Sequence, residues 1–151
     1  AEQLGTSLKV RGQAKILPNN SWSYLANLNI FHLKVPKIDG PGSQSNRSLS
    51  WSANAVLSYD FRTAPREGNQ LQVSFNRVAS QLTGQGETIG ISRMDISYRK
   101  KFLEKTYLGL SVVDVFDTGG FESYMNTTEL RSQFKSHPST RAVKLTLIHQ
   151  W

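Results

Sequence analysis

Residues 141–151, RAVKLTLIHQW, decide the fold, because their apolar side chains recur at every second position. One face of such an extended segment carries Val143, Leu145, Leu147, His149 and Trp151. The other face is mixed and mostly polar, so the pattern predicts a strand with one apolar face. A soluble domain seldom ends on a strand Trp, because chain ends tend to fray into water. A membrane barrel has a use for this ending, since its last strand must close the wall and leave no unpaired edge.

Composition narrows the kinds of site that the chain could hold. The 151 residues suit one domain, or one piece of a larger protein. There is no Cys, which rules out a disulfide framework or a thiolate metal site. His32, His137 and His149 fall in different segments without the spacing of metal ligands. We therefore expect no metal and no cofactor.

Hydropathy and charge leave a membrane location open. No run of about 18 apolar residues is present, so the sequence predicts no spanning helix. A barrel strand needs only about 9–11 residues, and half of them face water. The net charge of +7 would suit nucleic acid or an anionic surface, and in a barrel it could lie in the lumen, in the loops or beside lipopolysaccharide phosphates. Residues 1–3 show no signal-peptide pattern, which indicates a removed leader or a start inside a longer protein.

The clearest alternation lies in residues 48–62. Its apolar positions are Leu49, Trp51, Ala53, Ala55, Leu57, Tyr59 and Phe61. Ser, Asn, Asp and Arg fill most of the positions between them. Aromatic residues flank a small aliphatic middle, which is the depth profile of a strand that crosses a bilayer.

The same reading predicts an all-β chain of about seven antiparallel strands. These strands cover residues 5–17, 21–34, 48–62, 70–81, 89–102, 107–116 and 141–151. Asp114 breaks the alternation of the sixth strand, which we expect to resume after a bulge. Short turns at 18–20, 63–69 and 104–106 alternate with loops at 35–47, 82–88 and 117–138. Bacterial barrels show this asymmetry when the C-terminus faces the periplasm.

Alternation also sorts side chains between lipid and lumen. The predicted lipid-facing residues are Leu49, Trp51, Ala53, Leu57, Tyr59, Leu145, Leu147 and Trp151. The predicted lumen-facing residues are Lys9, Arg11, Arg93, Asp95 and Arg99. Arg77 falls on the lipid side, where it is tolerable only near an interface or a bulge.

Two segments resemble the closing strands of TonB-dependent outer-membrane receptors. They are residues 93–121, RMDISYRKKFLEKTYLGLSVVDVFDTGGF, and residues 139–151, STRAVKLTLIHQW. The matching positions are Lys100, Lys101, Phe102, Val112, Asp114, Phe116, Asp117, Thr118 and the aromatic terminus. Residues 5–86 follow the same rhythm of strands rich in Trp and Ser. A plug domain and an energy-coupling box, which precede the barrel in that family, are not visible.

The resemblance implies a function and a set of partners. The chain would be the C-terminal wall of a plugged barrel of roughly 22 strands in the bacterial outer membrane, importing a siderophore, vitamin, oligosaccharide or peptide. Its partners would be outer-membrane lipid, the rest of the barrel and its plug, the TonB energy-coupling complex, and an insertion machinery that recognises the last strand. Solute capture would fall to the loops at 35–47 and 117–138.

Four alternatives remain at this point. A soluble barrel or sandwich would turn the apolar face inward, but would crowd Trp and Tyr at strand ends. Nucleic-acid binding needs a focused basic patch, whereas the cations are spread over every segment. Enzymatic activity would rest on chance triads of abundant Ser with scattered His, so no catalytic residue is expected. An eighth strand within residues 124–137 would give a small complete outer-membrane barrel with a structural or adhesive role.

Overall fold

The computed structural model describes residues 2–17, 20–35, 46–62, 67–83, 86–127 and 130–150. In chain order its strands are β1 (Glu2–Leu17), β2 (Asn20–Val35), β3 (Asn46–Phe61), β4 (Asn69–Arg77), β5 (Gln81–Thr83), β6 (Gly86–Thr88), β7 (Ser92–Leu103), β8 (Thr106–Val113), β9 (Phe121–Asn126), β10 (Arg131–Ser136) and β11 (Ala142–His149). The described residues contain no helix that is long and apolar enough to cross a membrane.

Seven strands form one large sheet in the order β1, β2, β3, β4, β7, β8, β11. Every neighbouring pair in it is antiparallel. The predicted all-β antiparallel class is therefore confirmed, and each predicted strand corresponds to one strand of this sheet. The sheet is open, because in the described part of the chain no strand pairs with the outer edge of β1 or of β11.

The connections at the two ends of the large sheet differ in length. Few residues separate β1 from β2, β3 from β4, and β7 from β8. The connections from β2 to β3, from β4 to β7 and from β8 to β11 are long. We call these the short-connection end and the long-connection end.

The two later long connections are not loops, as the sequence predicted, but form a small sheet. Its order is β10, β9, β6, β5, and β6 pairs with β9 across more than 30 positions of sequence. The predicted loops at 82–88 and 117–138 are thus corrected. Residues 131–136 do form an extra strand, but it joins the small sheet and adds no eighth strand to the large one. Residues 36–45 of the first long connection lie outside the described residues.

Three boundaries of the large sheet also differ from prediction. β4 ends at Arg77 and β7 begins at Ser92, because the chain leaves the ladder after one last bond from the Val78 amide to the Ile91 carbonyl, 2.8 Å. β8 ends at Val113, and the expected bulge at Asp114 is a turn that the Asp117 amide closes on the Asp114 carbonyl at 2.9 Å. Trp151 lies outside the described residues.

Candidate functional site

Strand register gives the large sheet an apolar face. One row across it contains Gly12, Tyr24, Leu57, Val73, Ile96, Val112 and Val143. The next row contains Ala14, Trp22, Tyr59, Leu71, Tyr98, Leu110 and Leu145. The predicted lipid-facing residues that the structure describes, which are Leu49, Trp51, Ala53, Leu57, Tyr59, Leu145 and Leu147, all lie on this face.

The apolar face is exposed. Leu49, Leu145 and Leu147 are 72%, 73% and 70% accessible. Trp51 and Leu57 are 41% and 42% accessible, so these side chains do not converge in a packed interior, as a soluble sandwich would require. Contiguous apolar surface of this kind marks contact with a membrane or a partner.

Aromatic rings border the apolar face near the short-connection end. The Trp22 and Tyr59 ring centroids are 4.7 Å apart, those of Tyr59 and Phe61 4.6 Å, and those of Phe61 and Tyr98 6.5 Å. Towards the other end, the Arg77 guanidinium carbon lies 4.3 Å from the centroid of Trp51. Aromatic residues thus border the aliphatic middle on both sides, as girdles do in membrane barrels.

The opposite face of the large sheet is polar. It carries all five predicted lumen-facing residues, Lys9, Arg11, Arg93, Asp95 and Arg99. Arg93 donates to both carboxylate oxygens of Asp95, with a shortest distance of 2.8 Å. Concavities of about 730 Å³ and 460 Å³ open here, the larger beside Arg11, Gln13 and Ser58.

The chain that follows β4 folds onto this polar face at the long-connection end. The Ser50 hydroxyl donates to the Ser80 carbonyl at 3.3 Å, and Ser50 is buried. β5 lies against β2 and β3 at the same place. Phe31 and Leu33, which interrupt the alternation of β2, are on the polar face near this contact. The small sheet is therefore anchored over the polar face and not over the apolar one.

A buried acidic residue, Asp114, joins β7, β8 and β11 at the long-connection end. Asp114 is fully buried and has a positive φ of 49°. Its carboxylate accepts hydrogen bonds from the Thr140 hydroxyl, from the amide and hydroxyl of Thr118 at 3.1 Å, and from the Gly119 amide at 2.9 Å. Its own amide donates to Asp95 at 2.8 Å, which links the cluster to the polar face.

Asp117 makes a second set of bonds to the same segments. Its carboxylate accepts the Thr140 amide at 2.9 Å, the Arg141 amide at 3.1 Å and the Ser139 hydroxyl. We call Asp114, Asp117, Thr118 and Thr140 the Asp114 junction. Donated hydrogen bonds lower the pKa of both carboxyls, from the Thr140 hydroxyl foremost for Asp114 and from the Thr140 amide foremost for Asp117.

Glycines permit the close packing of the Asp114 junction. A Cβ added at Gly119 would lie 2.2 Å from the Thr140 hydroxyl oxygen, and one added at Gly120 would lie 2.5 Å from the His137 ring. The segment Asp114–Val115–Phe116–Asp117–Thr118, which contains several positions of the resemblance, thus holds the end of β8 against the start of β11. Asp114 makes hydrogen bonds within the protein, both to nearby Thr118 and Gly119 and to distant Thr140.

One face of the small sheet carries a polar network. Glu122 accepts hydrogen bonds from the Tyr124 hydroxyl at 2.7 Å and the Gln133 amide at 2.9 Å, and lies 3.9 Å from the Lys135 ammonium. The Tyr124 hydroxyl is the main cause of the lowered pKa of Glu122, and the same bond raises the pKa of Tyr124. The other face bears exposed Phe121, Met125 and Phe134, with the two Phe rings 6.1 Å apart. The small sheet therefore has one polar face and one apolar face.

A further cavity of about 240 Å³ lies where the small sheet meets the large one. Its walls include Ile91, Ser92, Thr118, Phe121, Glu122 and His137. Sequence reasoning missed these residues, although FESYMN and RSQFKS at 121–126 and 131–136 do alternate weakly. No group of three or more His, Asp or Glu residues suited to a metal ion occurs in the described ranges.

Comparison with known proteins identifies a family. A family model described as the outer membrane protein beta-barrel family matches residues 3–149. No curated protein and no solved structure matches the chain.

Proposed function

Because the chain belongs to the outer membrane protein beta-barrel family and resides in the bacterial outer membrane, we propose that it is the C-terminal wall of a TonB-dependent receptor that imports a nutrient. The observation that carries the proposal is the large sheet, with one apolar face, one polar face and two open edges in the described residues. Backbone N–H and C=O groups without hydrogen-bond partners are too costly in hydrocarbon, so in this proposal further strands pair with the two edges and complete the wall.

Strand polarity argues that these seven strands do not close on themselves. Successive neighbours are antiparallel, so β1 and β11 run in the same direction. Joining them would create a parallel pair, whereas bacterial single-chain barrels have even numbers of antiparallel strands. A wall of this kind suits part of a larger barrel, wide enough to hold a plug.

The two faces divide between lipid and lumen in this proposal. Along β3, eight positions separate Trp51 from Tyr59, or about 26 Å at roughly 3.3 Å per residue. Outer-membrane barrels have an apolar band about 25 Å tall. Strand tilt makes the height of the Trp51–Tyr59 span somewhat smaller than its length along the strand, so the span fits within this band. The apolar face then contacts acyl chains, and Lys9, Arg11, Arg93, Asp95 and Arg99 line the wet interior.

The connection lengths set the orientation. Bacterial barrels have short periplasmic turns and long outer loops, so the long-connection end faces outward. β1, β2 and β3 each have 16 residues, more than the 9–11 or so that cross a bilayer. In β3 the excess lies beyond Trp51, towards the long-connection end. The wall therefore projects outside the cell, and the small sheet lies at the outer mouth of the lumen.

This placement gives the small sheet the task of solute capture. It is anchored over the polar face through Ser50 and Ser80, and it offers the Glu122 network on one side and Phe121 and Phe134 on the other. Transport also requires the plug, the TonB complex and the insertion machinery as partners. We propose no catalytic activity for the chain itself.

Uptake by cells tests this function. A strain that lacks the full-length gene should lose uptake of one class among radiolabelled siderophore, cobalamin, oligosaccharide and peptide, and regain it on complementation. Uptake should also stop when TonB is deleted, because import through a plugged barrel needs energy coupling. The proposal would be contradicted if the deletion strain still took up all four solute classes, or if uptake persisted without TonB.

A deletion in the small sheet separates capture from wall assembly. Replacing residues 121–136 with a short Gly-Ser linker removes β9 and β10 but none of the strands of the large sheet. The variant should reach the outer membrane in normal amounts and lose most of its uptake. If the deletion lowers the amount of protein in the outer membrane as much as it lowers uptake, the small sheet serves assembly instead.

A further inference from the structure

The apolar face of the large sheet ends in basic side chains at the long-connection end. Beyond Trp51, the register places His32 beside Leu49 and, one row further, Lys34 beside Arg47. Arg77 enters the same region from β4, opposite Ala53. Over the four successive rows from Ala53 to Arg47, apolar residues thus give way to basic side chains on one surface.

Arg77 points along the sheet towards this basic end. Its guanidinium carbon lies over Trp51, which is in the next row outward from Ala53, and its Nη1 donates to the Ser92 hydroxyl at 2.8 Å. Its Nε is buried without a hydrogen-bond partner. An Arg that reaches from an apolar surface towards a polar boundary has the geometry of a side chain at a membrane interface.

The arginines of this region are not neutralised by neighbouring carboxylates. Among residues with described side chains, the ion pairs join Arg93 to Asp95 and Lys135 to Glu122, so neither Arg47 nor Arg77 is paired. Lys34 stands opposite Glu2 in the register, so the argument rests on the two arginines. Arg47 is exposed, and about four positions, or roughly 13 Å, separate it along β3 from the Trp51 level that Arg77 reaches.

We propose that Arg47 and Arg77, with His32 between their levels, bind the phosphate groups of an anionic lipid in the outer leaflet. The cations supply charge and hydrogen bonds for phosphate, while Ile30, Trp51 and Leu28 below them contact the acyl chains. A soluble phosphate compound would use the cations but leave the apolar rows unused. The amphipathic character of the surface therefore selects a lipid, and the site rests on the proposed outward orientation of the apolar face.

Lipid titration of the purified full-length protein tests this site. Fluorescent lipid A in zwitterionic detergent micelles should bind the delipidated protein with an affinity that falls as salt rises. Each lost cation should weaken binding about 5-fold, so Arg47→Gln with Arg77→Gln should weaken it about 25-fold. Dephosphorylated lipid A should bind the unsubstituted protein about as weakly as lipid A binds the double variant. Inorganic phosphate should compete poorly with lipid A.

Matched variants complete the test. Arg62→Gln with Lys100→Gln removes two cations near the short-connection end and should leave binding unchanged. If the double variant at Arg47 and Arg77 does not fold, Arg47→Gln alone should still weaken binding about 5-fold, since Arg47 is exposed. Equal binding of dephosphorylated lipid A, equal binding by the Arg47→Gln variant, or full competition by inorganic phosphate would overturn the site.

A label on the apolar face shows which premise has failed. A fluorophore on Leu57→Cys should be quenched by lipids that carry a quencher on the acyl chain. Quenching without any preference for phosphate would overturn the lipid site and leave the proposed wall intact. Absence of quenching would overturn the outward orientation, and the lipid site with it.

Discussion

At the scale of single residues, Asp114 shows how one buried residue can hold three strands together, through its carboxylate and through its backbone amide. The sequence marked it only as a break in alternation, yet it is fully buried and accepts four hydrogen bonds. A buried acceptor of this kind stabilises the folded state, because without it the buried N–H and O–H donors would have no hydrogen-bond partner, which is costly. The motif around Asp114 therefore has a structural role.

Asp114→Asn should destabilise the wall. The amide NH2 would face either the two donors of Thr118 or those of Gly119 and Thr140, and the lost charge-assisted bonds should cost about 2 kcal/mol or more. The free energy of unfolding in urea, measured in lipid vesicles, reports this loss. Glu104→Gln, in the exposed turn between β7 and β8, is the control and should change the free energy of unfolding little. Equal free energies of unfolding for both variants would show that Asp114 does not stabilise the sheet.

The Asp114 junction should also make stability depend on pH. The pKa of Asp114 and that of Asp117 lie below the ordinary value of 3.8, so their contribution is fully present above that value. It is lost as pH falls through the lower folded-state pKa values, because protonated carboxyls accept these hydrogen bonds poorly. The melting temperature should therefore drop between about pH 4 and pH 2, and drop less in Asp114→Asn with Asp117→Asn. An unchanged profile in that variant would contradict the prediction.

Gly12 and Gly109 provide a matched pair of substitutions within strands. The Tyr24 ring covers Gly12, so an added Cβ would lie 2.2 Å from the Tyr24 hydroxyl oxygen, whereas at Gly109 the nearest atom would be 3.6 Å away. Gly12→Ala should displace the ring and cost about 1 kcal/mol, while Gly109→Ala should be neutral or slightly stabilising. Urea unfolding of both variants measures the difference, and a Gly12→Ala protein as stable as Gly109→Ala would show that the ring contact is unimportant.

At the scale of strands, the two faces of β3 make opposite predictions. Leu57→Arg should cost about 2–4 kcal/mol and block insertion, because its side chain lies on the apolar face, between the levels of Trp51 and Tyr59. Ser58→Arg should be far milder, since Ser58 borders the concavity of about 730 Å³ on the polar face. The amount of heat-modifiable protein in outer-membrane fractions measures insertion. Similar losses for both variants would remove the distinction between lipid and lumen.

Local alternation predicted the large sheet well and the small sheet poorly. Residues such as Leu49 to Phe61 repeat with period two over a full strand, so the strand and its faces follow from sequence alone. β5 and β6 have only three residues each, and β6 finds its partner β9 far along the chain. Such pairing leaves no local signal, and neither does a turn like that at Asp114, whose positive φ is fixed by Thr118, Gly119 and Thr140.

At the scale of the whole molecule, the open edges decide between a large barrel and a small one. A small closed barrel must bring β1 beside β11, whereas a wall within a larger barrel keeps them apart. The chain has no Cys, so introduced pairs form unique crosslinks. Leu110→Cys with Leu145→Cys joins direct partners on β8 and β11 and should crosslink in oxidised outer membranes.

Pairs between the two edges should behave differently in the full-length protein. Leu8, Val10 or Ala14 replaced by Cys, each combined with Leu145→Cys, samples several registers that closure of β1 on β11 could adopt. None of these pairs should crosslink, because the intervening strands of a larger barrel would hold the edges farther apart than the Cα separation of about 7 Å that a disulfide tolerates. Efficient crosslinking of any of them would close the large sheet on itself and would favour a small barrel over the wall of a receptor.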